Sequence, residues 1–171
     1  MRKLAILRVA YRPGSPARGW LIAGCLALPC ALGPAGIEAR KHEGDGATPR
    51  GRFALLGGHF RAGRFPRPAR AAPIRRADGW CDDPASGQYN RAVRLPSPWR
   101  HEDLWRADHC YDMLIVLDHN RRPRVKGRGS AVFFHIAHDD LRPTAGCIAI
   151  RREDMRRLLP RLARHCTMVV G

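Results

Sequence analysis

Long apolar runs and paired cysteine motifs are both missing from this sequence of 171 residues. The most apolar stretch, residues 20–32, is shorter than the ~20 residues of a membrane-spanning helix, so no transmembrane segment is predicted. The sequence has six cysteines but no C-x-x-C pair, and we therefore predict no metal site. Their scattered spacing gives no disulfide framework, and all except Cys147 are interpreted as small, mostly buried side chains.

A clear export signal is lacking as well. The residues before the apolar stretch include several arginines and two prolines, and no clean small-x-small cleavage site follows it. Residues 22–25, I-A-G-C, resemble a lipoprotein cleavage box, but no apolar segment leads into them from Arg18. We interpret residues 20–32 as two buried strands that are interrupted near Gly24 and Pro29.

Acidic residues and lysines are few. The 31 basic residues outnumber the 15 acidic ones, giving a net charge of +16, and only three of the basic residues are lysines. Such a charge attracts nucleic acid, anionic lipid or a carboxylate-rich polymer. The arginines are scattered, and the densest stretch, residues 61–76, also contains three prolines, which is typical of a solvated loop. A general bias towards surface arginine explains the charge as well as an anionic partner does.

Many short apolar segments between turns are what the sequence does contain. They predict a mostly β fold, a sandwich or open barrel of short strands, that forms a single domain over residues 1–171. Besides the two strands within 20–32, strands are predicted at residues 3–9, 52–56, 111–117, 131–137, 147–150 and 167–170. Irregular connections are predicted at residues 41–51, 57–79 and 80–90, and a helical turn at 102–107.

One helix is predicted near the end of the chain, from Arg152 onward. Apolar side chains recur there with the spacing i, i+3, i+4 and i+7, starting at Met155. Pro160 would clash with the preceding turn, so the helix is expected to kink or stop at that position. The prediction is therefore a short C-terminal α-helix added to a β fold.

The segment 135–151, H-I-A-H-D-D-L-R-P-T-A-G-C-I-A-I-R, carries the residue types of acyl transfer. Cys147 can act as the nucleophile in its thiolate form, and a neighbouring His135 would lower the pKa of the thiol and carry its proton. Gly146 lets a substrate carbonyl come close and leaves backbone N–H groups available for an oxyanion. His138 competes with His135 for the role of base.

T-A-G-C-I-A-I preceded by H-I-A resembles the catalytic signature of the L,D-transpeptidases with a YkuD-type domain. In that family a histidine lies upstream of a Ser/Thr-x-Gly-Cys loop. Four other segments are similar to parts of the family, so the resemblance covers roughly residues 5–170: G-D-G-A-T-P-R-G-R-F, W-C-D-D-P followed by Y-N, H-E-D-L-W-R followed by Y-D, and G-R-G-S-A-V-F-F-H-I-A. The resemblance implies that Cys147 and His135 are catalytic and that Thr144, Ala145 and Gly146 form the substrate and oxyanion loop.

The sequence departs from the family pattern at three points. Ala145 stands where many members have histidine, and Ala149 where many have arginine. The spacing from His135 to Cys147 is also shorter than in many relatives. Because the first two departures affect recognition of a substrate carboxylate, we expect Arg142 and Arg151, which flank the loop, to bind it.

The resemblance implies that the substrate is the peptide stem of peptidoglycan, with no metal or cofactor required. The acyl group would pass through a Cys147 thioester, with loss of terminal D-alanine, to an amine in a three-to-three cross-link. Water as acceptor would give an L,D-carboxypeptidase or amidase, and a protein lysine would give a wall-attached protein. The family implies a location in the cell envelope or periplasm, and its histidine is oriented by a backbone carbonyl, here of Ile136 or Thr144. The rival hypothesis is a non-enzymatic basic protein that binds nucleic acid, although no motif for that activity is present.

Overall fold

The computed structural model describes residues 3–171, and Met1 and Arg2 lie outside this range. Strands make up 43% of the chain and helix 6%, which confirms the predicted mostly β fold. The strands are β1 (Leu4–Arg12), β2 (Ser15–Ala23), β3 (Leu26–Ala31), β4 (Ile37–Glu38), β5 (Thr48–Pro49), β6 (Gly51–Phe60), β7 (Ala71–Pro73), β8 (Asp78–Cys81), β9 (Arg91–Arg94), β10 (His101–Asp103), β11 (Met113–Leu117), β12 (Phe133–Ile136), β13 (Ile148–Ile150) and β14 (Leu162–Val170).

The main sheet is barrel-like, which is one of the two architectures predicted. Its strands follow the order β11-β12-β13-β3-β2-β1-β14-β6, and β11 also pairs with β6, so that eight strands form a closed ring. Strand β7 adds to β6 outside this ring. A second sheet of three short strands has the order β10-β8-β9. Closing the ring pairs both edges of the sheet and leaves fewer unsatisfied backbone groups.

Two apolar clusters lie on opposite faces of strands β11 and β12. Phe134 and Ile136 belong to the larger cluster, together with side chains from most of the ring. Phe133 belongs to the smaller cluster, which also contains Trp80 of the three-stranded sheet. Because strand side chains alternate between faces, His135 is expected on the same face as Phe133. The alternation therefore directs His135 toward the space between the two sheets.

The C-terminal helix is confirmed. Helix α1 spans Arg152–Leu158 and buries Met155 and Leu158 against the ring. A single 3-10 turn, Leu159–Arg161, follows it and contains Pro160. The proline therefore marks the end of the α-helix, as its missing N–H and its ring require.

Five of the local predictions need correction. The connection predicted at residues 41–51 contains β5 and the first residue of β6. Pro29 does not interrupt a strand but lies within β3, in register with Trp20. The stretch 57–79 is not one loop, since β6 continues to its fourth residue and β7 and the start of β8 fall within it. Strand β8 likewise extends into the predicted irregular region 80–90, and residues 101–103 form a strand rather than part of a helical turn. In each case pairing with a neighbouring strand of the sheet overrides the local sequence pattern: β3 pairs with β2, β7 with β6, and β8 with β9 and β10.

All six cysteines lie within the described residues, and none of them forms a disulfide. Cys25 is exposed and the other five are buried, as expected for small apolar side chains. Across residues 3–171, no helix has both the length and the apolar character needed to cross a membrane.

Candidate active site

Strands β12 and β13 place the predicted nucleophile and base at the same cleft. They run parallel, with His135 in register with Ala149, two residues after Cys147. Cys147 therefore immediately precedes β13, on the strand next to the one that carries His135. Both side chains line a cleft of about 540 Å³ between the barrel and the three-stranded sheet.

The backbone around Gly146 explains why glycine precedes the cysteine. Gly146 has φ +126°, and a Cβ at this position would lie 2.6 Å from the backbone carbonyl oxygen of Ala47. Ala47 belongs to the A-T-P segment that leads into β5, so two segments far apart in the sequence meet here. Any other residue at position 146 would have a strained backbone conformation, and its Cβ would force the loop away from Ala47.

Hydrogen bonds of Thr144 stabilise the same loop. Its hydroxyl donates to the backbone carbonyl of Cys147 at 2.7 Å and accepts the N–H of Gly146 at 3.2 Å. The N–H of Thr144 donates to the carbonyl of Leu32 in the loop after β3. These bonds set the path of the chain into Cys147, and Thr144 therefore acts as a brace for the loop.

His135 is oriented by its own strand. Its Nδ1 lies 2.8 Å from the backbone carbonyl of Ile136, which is one of the two carbonyls predicted for this role. The proton on Nδ1 donates to that oxygen, leaving the lone pair of Nε2 available as a base. Burial lowers the pKa of His135 to about 4, and the positive charge of Arg106 lowers it further. The imidazole is therefore neutral at pH 7.

The thiol of Cys147 is also neutral. It donates to the carbonyl of Ala131 at 3.2 Å and accepts the N–H of Phe133 at 3.3 Å. Burial raises the pKa of the Cys147 thiol to about 12, and the negative charge of Glu102 contributes to the rise. The expected lowering of this pKa by the imidazole is thus not found, because a neutral His135 supplies no positive charge to a desolvated thiol.

A network of charged side chains covers the opposite wall of the cleft. Tyr111 donates its hydroxyl proton to Glu102, and Arg106 lies 3.7 Å from the same carboxylate. Arg106 also forms a bidentate pair with Asp108. Desolvation by burial raises the pKa of Glu102. Sequence analysis assigned no role to these residues, although the segments H-E-D-L-W-R and Y-D that contain them were part of the family resemblance.

Lys41 is a further cleft residue that sequence analysis missed. Its side chain is 6% exposed, and its ammonium group pairs with Asp45 and donates to the carbonyl of His42. Its aliphatic chain lies against the position that a Cβ of Gly146 would occupy, at 3.5 Å. A buried lysine beside the Thr144–Cys147 loop gives the cleft a positive charge that acts on Cys147.

Of the two arginines predicted to bind a carboxylate, only Arg142 lies at the cleft. Arg142 lines it together with Thr144 and Ala145, and its guanidinium donates to Nδ1 of His138 at 2.8 Å. Arg151 is exposed just before α1 and is not among the residues that line the cleft. Arg151 follows the last residue of β13, whereas Arg142 belongs to the loop between β12 and β13.

The comparisons with known proteins agree with this arrangement. A family model described as the YkuD L,D-transpeptidase catalytic domain matches residues 6–170, nearly the whole chain. The chain therefore belongs to the YkuD family of peptidoglycan-modifying enzymes, which are generally associated with the cell envelope. A search of curated proteins gives no match.

Proposed function

We propose that the protein is a cysteine-dependent L,D-transpeptidase acting on the peptide stems of peptidoglycan. The observation that carries this proposal is the position of Cys147 and His135 on adjacent parallel strands, at one cleft, with Nδ1 of His135 held by the carbonyl of Ile136. The proposal treats residues 1–171 as one catalytic domain and locates the protein in the cell envelope. It requires no metal or cofactor for the reaction.

The first half-reaction begins when the stem enters the cleft. The sulfur of Cys147 attacks the carbonyl carbon of the third residue, a diamino acid, while the thiol proton passes to Nε2 of His135. The thiol gives up its hydrogen bond to Ala131 in this step. Collapse of the tetrahedral intermediate breaks the bond to the terminal D-alanine, which leaves as an amine after taking the proton from His135. A thioester on Cys147 remains.

Backbone N–H groups stabilise the oxyanion of that intermediate. The N–H of Gly146 already donates to the hydroxyl of Thr144 at 3.2 Å. We therefore assign the leading role to the N–H of Cys147, with Gly146 as the second donor. In the second half-reaction an amine of another stem attacks the thioester, loses its proton to His135 and forms the cross-link, and Cys147 recovers its thiol.

Neutral resting partners suit this sequence of steps. A thiol with a pKa of about 12 beside an imidazole with a pKa of about 4 does not ionise before the substrate arrives. The thiol proton moves to His135 only as the bond between the Cys147 sulfur and the substrate carbonyl carbon forms. The resting site is thereby protected from unselective alkylation and oxidation, which require the thiolate.

The mixed charges of the cleft fit a peptide stem, which carries free carboxylates and an amine on its diamino acid. Arg142 is the best carboxylate ligand, because within residues 3–171 its guanidinium donates to a ring nitrogen of His138 and pairs with no carboxylate, whereas Arg106 is already paired with Asp108. Glu102 lines the same cleft and supplies negative charge for the amine, whereas Asp82, which also lines it, is paired with Arg100. Arg142 thus takes the role of the arginine that many family members have at the position of Ala149.

The test is product analysis with a purified disaccharide-tetrapeptide, with and without a second stem as acceptor. A transpeptidase gives free D-alanine and a three-to-three cross-linked dimer, both lost in Cys147→Ala. Release of D-alanine with only a free tripeptide would replace transfer by hydrolysis, the carboxypeptidase alternative. If the wild-type protein releases no D-alanine either with or without the acceptor stem, the proposal is overturned. Addition of a wall-attached protein as acceptor tests whether a lysine can replace the stem amine.

A further inference from the structure

A second cluster of ligating side chains lies at the rim of the cleft. It consists of His109, Cys110 and His138, and one ligating atom from each lies within 4.8 Å of those of the other two. Cys110 is buried and the two histidines are half-buried. Cys110 and His138 line the cleft, whereas the catalytic reaction proposed above uses none of the three.

The sheet register brings these residues together. His109 and Cys110 lie in the turn just before β11, and His138 follows β12. Because β11 and β12 are antiparallel neighbours, the start of one lies beside the end of the other. The N–H of Ile136 donates to the carbonyl of Cys110 at 3.2 Å and joins the two segments directly. The ligating groups therefore extend from backbone that the barrel holds in place.

His109 is held as metal-ligating histidines usually are. Its Nε2 lies 3.1 Å from the backbone carbonyl of Ala137, so the proton on Nε2 donates to that oxygen and the lone pair of Nδ1 is free. A backbone carbonyl on the second nitrogen fixes the tautomer and the ring orientation of a ligand in the same way. Asp139 lies 3.6 Å from the same Nε2 and adds negative charge next to the cluster.

The donor set selects the metal. Two imidazole nitrogens and one thiolate sulfur are typical of zinc, and three protein ligands leave one tetrahedral position free. We propose that His109, Cys110 and His138 bind one Zn²⁺, with the fourth position open to the cleft. Binding releases the thiol proton of Cys110 to solvent, since the thiolate is the ligand. The absence of a C-x-x-C motif does not argue against this site, because its ligands come from two loops.

Binding of zinc to His138 is incompatible with the hydrogen bond between Arg142 and His138. Arg142 donates to Nδ1 of His138, so that nitrogen must carry a lone pair and Nε2 the proton. Zinc on Nδ1 displaces the guanidinium directly. Zinc on Nε2 moves the proton to Nδ1, which can then no longer accept. Either way, metal binding frees the guanidinium of Arg142.

The test is metal titration of the Cys147→Ala protein, in which the catalytic thiol cannot contribute a ligand. We expect one equivalent of Zn²⁺ to be taken from a chromophoric chelator, and Co²⁺ to give a thiolate-to-cobalt charge-transfer band. Adding Cys110→Ser should abolish the band, and adding His109→Ala or His138→Ala should weaken zinc binding by at least about tenfold.

Two variants serve as matched controls for these residue types. Cys166→Ser removes a buried thiol and His165→Ala an exposed imidazole, both on β14, and neither should change stoichiometry or affinity. Circular dichroism of each variant reports whether it folds. Absence of stoichiometric binding in the Cys147→Ala protein, or binding and a thiolate band that survive in folded Cys110→Ser, would overturn the proposal.

Discussion

The thiol of Cys147 donates its hydrogen bond to the backbone carbonyl of Ala131 at 3.2 Å. Ala131 has φ +50°, a left-handed conformation that is uncommon for a residue with a side chain. It lies two residues before β12, in the segment that leads to His135. The strand that carries His135 is thus preceded by a turn whose carbonyl accepts the proton of the Cys147 thiol. In the proposed mechanism, Cys147 gives up this contact when a substrate enters the cleft.

The lowered pKa of His135 predicts a loss of stability in acid. The pKa falls from 6.5 to about 4 on folding, so this group's contribution is present above pH 6.5 and is lost as the pH falls through 4. Between about pH 7 and about pH 4.5 the loss amounts to roughly 2 kcal/mol. Urea unfolding of wild type and His135→Gln at both pH values measures it, because the variant lacks this component.

His165→Gln is the control for this comparison, because His165 is exposed on β14. Its acid-induced loss of unfolding free energy should equal that of wild type. Other histidines with lowered pKa values, His59, His119 and His138, are present in all three proteins, so their contributions cancel in the difference. Equal losses in wild type and His135→Gln would contradict the assignment of a buried, neutral imidazole.

Gly146→Ala is expected to destabilise the protein by about 2 kcal/mol or more, through both backbone strain and overlap with the carbonyl of Ala47. Gly127→Ala provides the matched control, since Gly127 also has positive φ but open space around it. Strain alone should cost that variant about 1 kcal/mol. Equal destabilisation of the two variants would show that the contact with Ala47 is unimportant.

Removing the charge of Glu102 should make Cys147 more reactive. The Glu102 carboxylate contributes to the raised pKa of the thiol, so Glu102→Gln is expected to lower that pKa. Alkylation of Cys147 by iodoacetamide at a fixed neutral pH, followed by peptide mass spectrometry, should then be faster than in wild type. Asp103→Asn, on the exposed side of the same strand, should change the rate little. Equal rates for Glu102→Gln and wild type would contradict the electrostatic argument.

Arg142 and Arg151 should differ in their effects on substrate binding. Loss of a charge-assisted hydrogen bond from Arg142→Ala is expected to raise KM for the stem by about tenfold or more, with kcat less affected. Arg151→Ala should leave KM near the wild-type value because its side chain does not line the cleft. Steady-state release of D-alanine measures both, and a large KM effect of Arg151→Ala with none of Arg142→Ala would reverse the assignment.

Much of this arrangement could be predicted from the sequence. Apolar spacing and a proline are enough to predict the helix and its end. The alternation in β12 is enough to predict that His135 points away from the core of the barrel, on the face that Phe133 shares. The residues Glu102 and Arg106 could not be assigned, because β10 is three residues long and depends on pairing with β8. Lys41 was missed for a similar reason: its burial follows from the approach of the A-T-P segment to Gly146, a contact between distant parts of the chain.

The most direct test of the central claim is intact-mass spectrometry after incubation with a carbapenem, a class that acylates the cysteine of this family. Wild type, Cys147→Ala and Cys25→Ala are compared, the last because Cys25 is the exposed thiol. We predict a single adduct on wild type and Cys25→Ala and none on Cys147→Ala. An unmodified wild-type protein that is folded and reduced, or an adduct that persists in Cys147→Ala, would contradict the claim that Cys147 is an acyl-accepting nucleophile.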